Sequence, residues 1–398
     1  MTNPFLLYVV TFLLTVVIYQ LGWSNLYPAL SATMILFLSF TLIIGLVFAI
    51  VHKYKLKPPM RSAHVGPDAM APLVTAIILA LSLLQFAYDR DLPLLQVVSG
   101  SAPTHKAFVD DYGIPLLHPI LLSFSSFFSV YLFHLFLSTQ HRRNLFYLIL
   151  TVLPLILFFS RGSLALTLIA CVFVYVFFSR RYTALRAVVL LAISVLLAYI
   201  FGLSGSIRVA DPAYILQIGG ATTNFLTAPV PRDFFWSYLY ITSPLANFQL
   251  HVDSTPPHTI EHDFAAFLVF DVLPDFISRH VADLYHIEAP SSTLVSPALT
   301  ARSAYARSYL LLGWYGPTLL FGYFLLLTIF LLYALNKRSR FFLTGLAFLN
   351  TLTVLLVFSN TLVFSGTVLP ILYSMILGTF YKGVVWSRHT TTNHMEVP

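Results

Sequence analysis

LSATMILFLSFTLIIGLVFAIV, residues 30–51, runs for 22 residues without a charge. A helix needs about twenty mainly apolar residues to cross the hydrocarbon of a bilayer. The run shows no strict alternation of apolar and polar positions, so it does not read as a barrel strand. Lipid offers backbone N–H and C=O groups no partners, and a chain of this kind therefore spans as helices. The rest of the sequence agrees. Of 398 residues, 58% are hydrophobic and only 9% charged, and the mean hydropathy is +0.83. A soluble domain, with about a quarter of its residues charged, is excluded. The single cysteine, Cys171, lies in an apolar run and rules out a disulfide framework within the chain.

By the same criterion the expected spans are 3–22, 30–51, 70–88, 115–138, 145–159, 163–178, 187–201, 314–335, 341–358 and 367–386, about ten in all. The first run lacks a small-residue cleavage site and reads as a retained span rather than a signal peptide. The pair 145–159 and 163–178 is short and parted only by Ser160-Arg161-Gly162, which leaves open an ordinary hairpin or two broken helices. Alternate connections carry 14 of the 22 basic residues against Asp68 and Glu396 alone. The opposite side has eight basic and thirteen acidic residues, a balance of +12 against −5 within the formal +7. The positive-inside rule places the basic side and both termini in the cytoplasm. The expectation is an all-α polytopic membrane protein in three parts: a transmembrane bundle over 1–201, an outer segment over 202–307, and further spans over 308–398.

The outer segment breaks the apolar monotony. It holds Arg208, Arg232, Arg279, Arg302 and Arg307, five histidines, nine of the fifteen acids and no lysine. Within it, 233–250 is aromatic and interrupted by Ser243-Pro244, too short to span yet apolar enough to lie along the membrane surface. A helix start is expected at Thr259, running through Phe264, Phe267 and Leu268, and another near Ala298. From the second, Arg302, Tyr305 and Tyr309 fall on one helical face.

Seven of the eight outward cations are arginines, the exception being Lys106. Arginine keeps its charge in any surroundings and presents a planar fork matched to phosphate oxygens, so the set suits an anionic diphosphate group. Pairing with the outward acids is the plainer account for any single arginine. Arg161 stands out because it sits near membrane depth, where a charge is costly and marks function, unless it is a helix-end residue reaching out to water. Histidine is the segment's obvious general base near neutral pH. His258 and His262 are spaced for a shared helical face, but His258-Thr-Ile-Glu261-His262 is not H-E-x-x-H, and no metal site is expected. Asp110-Asp111, with Asp89 and Asp91, read as solvated loop acids. The tyrosines and tryptophans suit sugar stacking and equally an ordinary membrane interface. The cytoplasmic basic clusters read as topology signals beside anionic lipid. No P-loop, GxGxxG or CxxC occurs among them, so neither a nucleotide cofactor nor a nucleic-acid partner is expected.

On four local features the chain resembles the O-antigen polymerases (Wzy-type), within the wider group of lipid-linked oligosaccharide polymerases and ligases. Ser160-Arg161-Gly162-Ser163 is similar to that family's short arginine-bearing outer loop. A large outer segment before the last few spans matches its layout. Phe234 to Phe248, with Tyr238-Leu-Tyr240 leading into Ser243-Pro244-Leu-Ala-Asn247, is similar to a stretch found there. Arg302, with Gly313 eleven residues on and Trp314-Tyr-Gly316 following, resembles the family's arginine-to-glycine motif. After Arg161 that spacing is absent, since Val172 stands eleven on. The resemblance implies a GT-C-like glycosyltransferase, independent of metal, that joins undecaprenyl-diphosphate-linked repeat units at the periplasmic face of the bacterial inner membrane. It implies diphosphate and sugar contacts by Arg161, Arg232, Arg302 and Arg307, an orienting Tyr305, and His258 or His262 as base. A chain-length regulator protein is an implied partner beside the lipid-linked substrates and the bilayer.

Two rivals compete. An O-antigen ligase usually carries a histidine just before the span that follows the large loop, and Ala298–Tyr315 has none. A transporter or flippase of polyprenyl-linked sugars expects ionisable residues or breaks in mid-span; His118, His134 and Pro154 are the candidates, and no internal repeat is visible.

Overall fold

A helix forms at the start of the chain because Asn3 caps it. Its side chain accepts a hydrogen bond from the Phe5 N–H at 3.0 Å, and Pro4, which has no N–H to satisfy, fills the first helical position. The same amide donates to the Ala49 carbonyl at 2.8 Å, fastening the first helix to the second. A computed structural model describes residues 3–55, 65–90, 92–98, 113–114, 116–178, 195, 199, 214–255 and 263–380. In chain order its main helices are α1 (Pro4–Tyr19), α2 (Ala32–Lys55), α3 (Ala71–Asp89), α4 (Leu117–Thr139), α5 (Arg142–Leu157), α6 (Arg161–Phe178), α7 (Phe234–Ser254), α8 (Asp275–Tyr285), α9 (Ala304–Leu312), α10 (Tyr315–Ala334), α11 (Phe342–Leu355) and α12 (Ser365–Phe380). Among the described residues there is no β-strand, and Ser24 and Ala221 form an isolated bridge.

Among the described residues five helices are long and apolar enough to cross a membrane: Ala32–Lys53, Ala71–Asp89, Leu117–Thr139, Arg161–Phe178 and Tyr315–Ala334. Pro4–Tyr19, Phe342–Leu355 and Ser365–Phe380 are apolar but shorter. The expected span at 187–201 lies almost wholly outside the described residues. The faces of α2 show what surrounds it. Leu36 (72% exposed), Phe40, Ile43 (64%), Val47 and Ile50 form an outward stripe at helical spacing, while Met34, Leu38, Thr41, Ala49 and His52 are buried. Such an apolar exterior suits lipid and not water.

The described chain packs as two units that cut across the division into 1–201, 202–307 and 308–398. One comprises Met1–Lys57, Ser179–Leu332 and Phe348–Val368; the other comprises Pro58–Phe178, Tyr333–Ala347 and Leu369–Pro398. In the second unit α4 turns a polar face inward against α5 and α6. The Ser125 hydroxyl donates to the Thr151 carbonyl at 2.5 Å, Ser129 meets the Thr151 hydroxyl at 2.8 Å, and Ser126 meets that of Thr167 at 2.6 Å. Small hydroxyl residues let helix backbones approach closely in lipid and bond across the gap. α5 and α6 are each a continuous helix joined by a short turn, an ordinary hairpin and not a pair of broken helices. Also in this unit, Arg340 is buried against Asp68 at 3.2 Å, and Asp68 accepts from the Tyr131 hydroxyl at 2.7 Å. Arg340, counted by sequence as a plain topology charge, is a structural ion pair.

The first unit is organised by α7. Its 21 residues do not lie along a surface, as their length and apolarity suggest, but pack against α1 and α9 with Phe235, Tyr238, Leu239, Leu245 and Phe248 buried. After it, the main chain over 293–303 runs as an irregular strap. The buried Asn247 amide donates to the carbonyls of Leu299 and Ala301 at 2.8 and 2.7 Å and accepts from the Val295 N–H at 2.9 Å. Those carbonyls are thereby taken from any helix starting at Ala298, and α9 begins later, capped by Ser303. At the far end of α9, Gly313 adopts φ 57°, ψ −147°, a conformation open only to glycine. Gly316 then lets α10 press against α9: a Cβ there would run into the Ser308 carbonyl oxygen. Because that obstacle is backbone, Gly316→Ala is expected to lose about 2–3 kcal/mol by overpacking, read as a lowered midpoint in thermal unfolding of the detergent-purified protein.

Candidate functional site

In the first unit a cavity of about 350 Å³ opens between the end of the strap, the start of α8, α9 and the 358–364 connection. Its polar lining includes Asp275, Arg302, Ser303, Arg307 and Asn360; Phe358, Val363 and Phe364 form an apolar side. Each polar group is set by a local device. Arg302 ends the strap that Asn247 holds. Arg307 projects from the first turns of α9, three residues past the Ala304 start. Asp275 opens α8 after Pro274, and its carboxylate accepts from the Ser365 N–H at 3.1 Å while its own N–H donates to the Val363 carbonyl at 2.8 Å.

Behind the cavity lies Asp271, fully buried in a π-helical turn over Leu268–Val272. Arg307 Nε donates to Asp271 Oδ1 at 2.8 Å, and Arg307 Nη2 donates to the Phe270 carbonyl. Asn360 Nδ2 donates to the Asp271 main-chain carbonyl at 3.0 Å and to Oδ1 at 3.2 Å. Among the described residues Asp271 Oδ2 has no hydrogen-bond partner. Burial pushes the carboxyl pKa up, opposed by the charge and hydrogen bond of Arg307 and by Asn360. Arg307 is thus clamped on one side and a third exposed on the other.

Arg302 differs. Among the described residues it has no ion pair or hydrogen bond of its own, although it is half-buried next to Arg307. Burial first, and the neighbouring Arg307 charge second, both press its pKa down. A guanidinium does not shed its proton at ordinary pH, so Arg302 stays cationic beside a second cation. Two forks facing one cavity offer paired N–H donors to phosphate-like oxygens.

The structure gathers only part of the set expected from sequence. Arg302 and Arg307 meet in the cavity. Arg232 stands exposed just before α7 and does not line it. Arg161 belongs to the other unit, where it opens α6 with its guanidinium 4.2 Å from the centre of the Phe159 ring. Tyr305, expected to orient substrate, is buried instead among Phe12, Phe37 and Phe248, its hydroxyl 2.8 Å from that of Tyr8. It packs α9 against α1 and α2. His258 and His262 lie outside the described residues. His251 is buried on α7 with Nε2 2.9 Å from the Thr293 carbonyl, bracing the strap, and burial holds its pKa down. Asp271, Asp275 and Asn360 were not singled out by sequence. The available signal was Asp271-Val-Leu-Pro-Asp275, two acids one helical turn apart astride a helix-starting proline. Among the described residues no group of three His, Cys, Asp or Glu converges as a metal-binding set.

No family model, curated protein or solved structure matches this chain.

The raised Asp271 pKa fixes a sign. The folded protein holds that proton more tightly than the unfolded chain, so stability falls as pH climbs from the ordinary carboxylate value toward the raised one. Asp271→Asn is expected to flatten that decline, measured as thermal midpoint against pH, while loosening Arg307.

Proposed function

We propose that the chain is a membrane-embedded glycosyltransferase that polymerises undecaprenyl-diphosphate-linked oligosaccharide repeat units at the periplasmic face of the bacterial inner membrane. About ten spans, cytoplasmic termini and a GT-C-like arrangement belong to the same reading. The observation that carries it is the meeting of Arg302 and Arg307 in one cavity, with Arg302 unpaired among the described residues and an apolar wall alongside. A lipid-linked diphosphate has both halves of that chemistry, a doubly anionic group and an attached hydrocarbon. The cavity also falls within the roughly 300–1,000 Å³ of ordinary ligand sites.

On this reading the arginines hold the donor's diphosphate. An acceptor sugar hydroxyl attacks the donor's anomeric carbon and forms the new glycosidic bond. The bond from that carbon to the diphosphate oxygen breaks, and its electron pair leaves with the diphosphate. Charge builds on the departing group, and Arg302 and Arg307 stabilise it more as it grows, the kind of differential interaction that lowers a barrier. The hydroxyl proton passes to a base. Asp275 is the carboxylate on the cavity wall, and it joins His258 and His262 as a candidate for that role.

The test is complementation of a polymerase-deficient host supplied with the matching repeat unit, read as the ladder of polymer lengths. Arg302→Gln is expected to cut polymer about a hundredfold, and Arg302→Lys to recover little because the charge returns without the fork. Well-inserted variants should leave single repeats attached to lipid. Loss of all decorated lipid would point to a ligase or flippase, and a normal ladder from both variants would sink the site.

A further inference from the structure

Helix α8 has three sides, and the order of its residues sets each of them. Successive residues turn about 100° around a helix axis, so Ser278 and Ala282 share one side, and both are buried against the protein. Ile277, Val281, Leu284 and Tyr285 fall at i, i+4, i+7 and i+8 on a second side. Val281 is half-buried, but Ile277, Leu284 (71% exposed) and Tyr285 (68%) face outward. Arg279, His280 and Asp283 make the third side, exposed and polar, with half-buried Phe276 among them. The fold covers the first side and leaves the apolar second side open among the described residues.

The helix also sets out beside the membrane spans. Its first residue, Asp275, is bonded to Val363 and to Ser365, where α12 begins. Just before α8, the Val272 carbonyl lies 3.4 Å from the Tyr323 hydroxyl. Tyr323 stands about two turns into α10, one of the helices of membrane length. It is in register with Leu319, Leu326 and Phe330, the exposed apolar stripe of α10. That stripe suits lipid for the same reason as the stripe of α2, so the open side of α8 continues a lipid-facing surface.

We infer that α8 docks on the lipid surface. It lies in the interface of one leaflet, with Ile277, Val281, Leu284 and Tyr285 against acyl chains and His280 and Asp283 toward water. Eleven residues make a rod about 16 Å long against roughly 30 Å of hydrocarbon, so the helix lies on the bilayer and does not cross it. An apolar stripe flanked by charged groups is the pattern of interfacial helices, and tyrosine favours that depth. A second copy of the chain is a poorer occupant, because four side chains fall far short of the roughly 20–30 residues a side that a stable interface uses. Since Asp275 opens α8 and lines the arginine cavity, one wall of that cavity is carried on a membrane-seated arm. The inference rests on the faces of the helix and does not require the glycosyl-transfer reading.

The test uses the full chain in proteoliposomes of phosphatidylethanolamine and phosphatidylglycerol. Cys171→Ser removes the one native thiol, and Leu284→Cys or Asp283→Cys then takes a nitroxide label. Both positions are exposed, so neither change disturbs packing. Oxygen partitions into lipid and a nickel chelate stays in water, and the ratio of their collision rates with the label reports its surroundings. The expected ratio is severalfold higher at 284 than at 283. Equal ratios would mean water on both sides and overturn the inference; a label at 284 shielded from both reagents would mean a protein partner and overturn it too. A second measurement keeps Cys171 and places p-benzoylphenylalanine at Leu284. Irradiation is expected to give a phospholipid adduct by mass, and a crosslinked dimer or an adduct with another protein in its place overturns the docking. The polymer ladder reads Arg302, so its failure leaves this result standing.

Discussion

A carboxylate with no exposure to solvent cannot be left alone, and Asp271 is such a group. Removing it from water costs several kcal/mol unless a partner and hydrogen bonds are supplied. Arg307 supplies the charge and Asn360 the second donor. Those two residues stand on α9 and on the connection between α11 and α12, so the pair forms only when three distant stretches are already together. The Ser365–Asp275 bond ties the same connection to the start of α8. The cavity is therefore a by-product of satisfying one buried acid, and its walls are as rigid as that requirement.

The electrostatics of the first unit follow. One of the two arginines spends its Nε and one terminal nitrogen on Asp271 and Phe270, and the other has no partner among the described residues. The strap that delivers Arg302 owes its position to a neutral residue, Asn247, whose amide occupies three main-chain groups at once. Positive charge is thus presented by an uncharged scaffold.

Five of the expected spans were legible in sequence because lipid leaves so few options: a long apolar run must be helical, and the limits of those five helices lie within a few residues of those expected. The arginine bias was legible too, since Arg and Lys differ in chemistry and not only in charge. What sequence could not separate was burial in protein from contact with lipid. Phe234 to Leu250 is apolar enough for either, and only packing against α1 and α9 decides. Tyr305 lies in the core and not on the cavity wall for a related reason. Its helical spacing from Arg302 presumed a helix that Asn247 prevents from starting early. Asp271, Asp275 and Asn360 carry no local pattern strong enough to announce them, because what brings them together is tertiary. Arg161 and Arg232 had the right chemistry, but chemistry alone does not say which arginines will share a wall.

The π-helical turn at Leu268–Val272 has a consequence for chain length. A π turn holds one more residue than the α turn it replaces, and one residue is worth about 100° of rotation around a helix axis. Deleting a single residue there would let the segment relax into an α-helix and would swing Asp271 off the axis of Arg307. The composition of this short stretch is open to exchange of one apolar side chain for another. Its count of residues is not, and the segment works as a spacer whose length is the setting of the site.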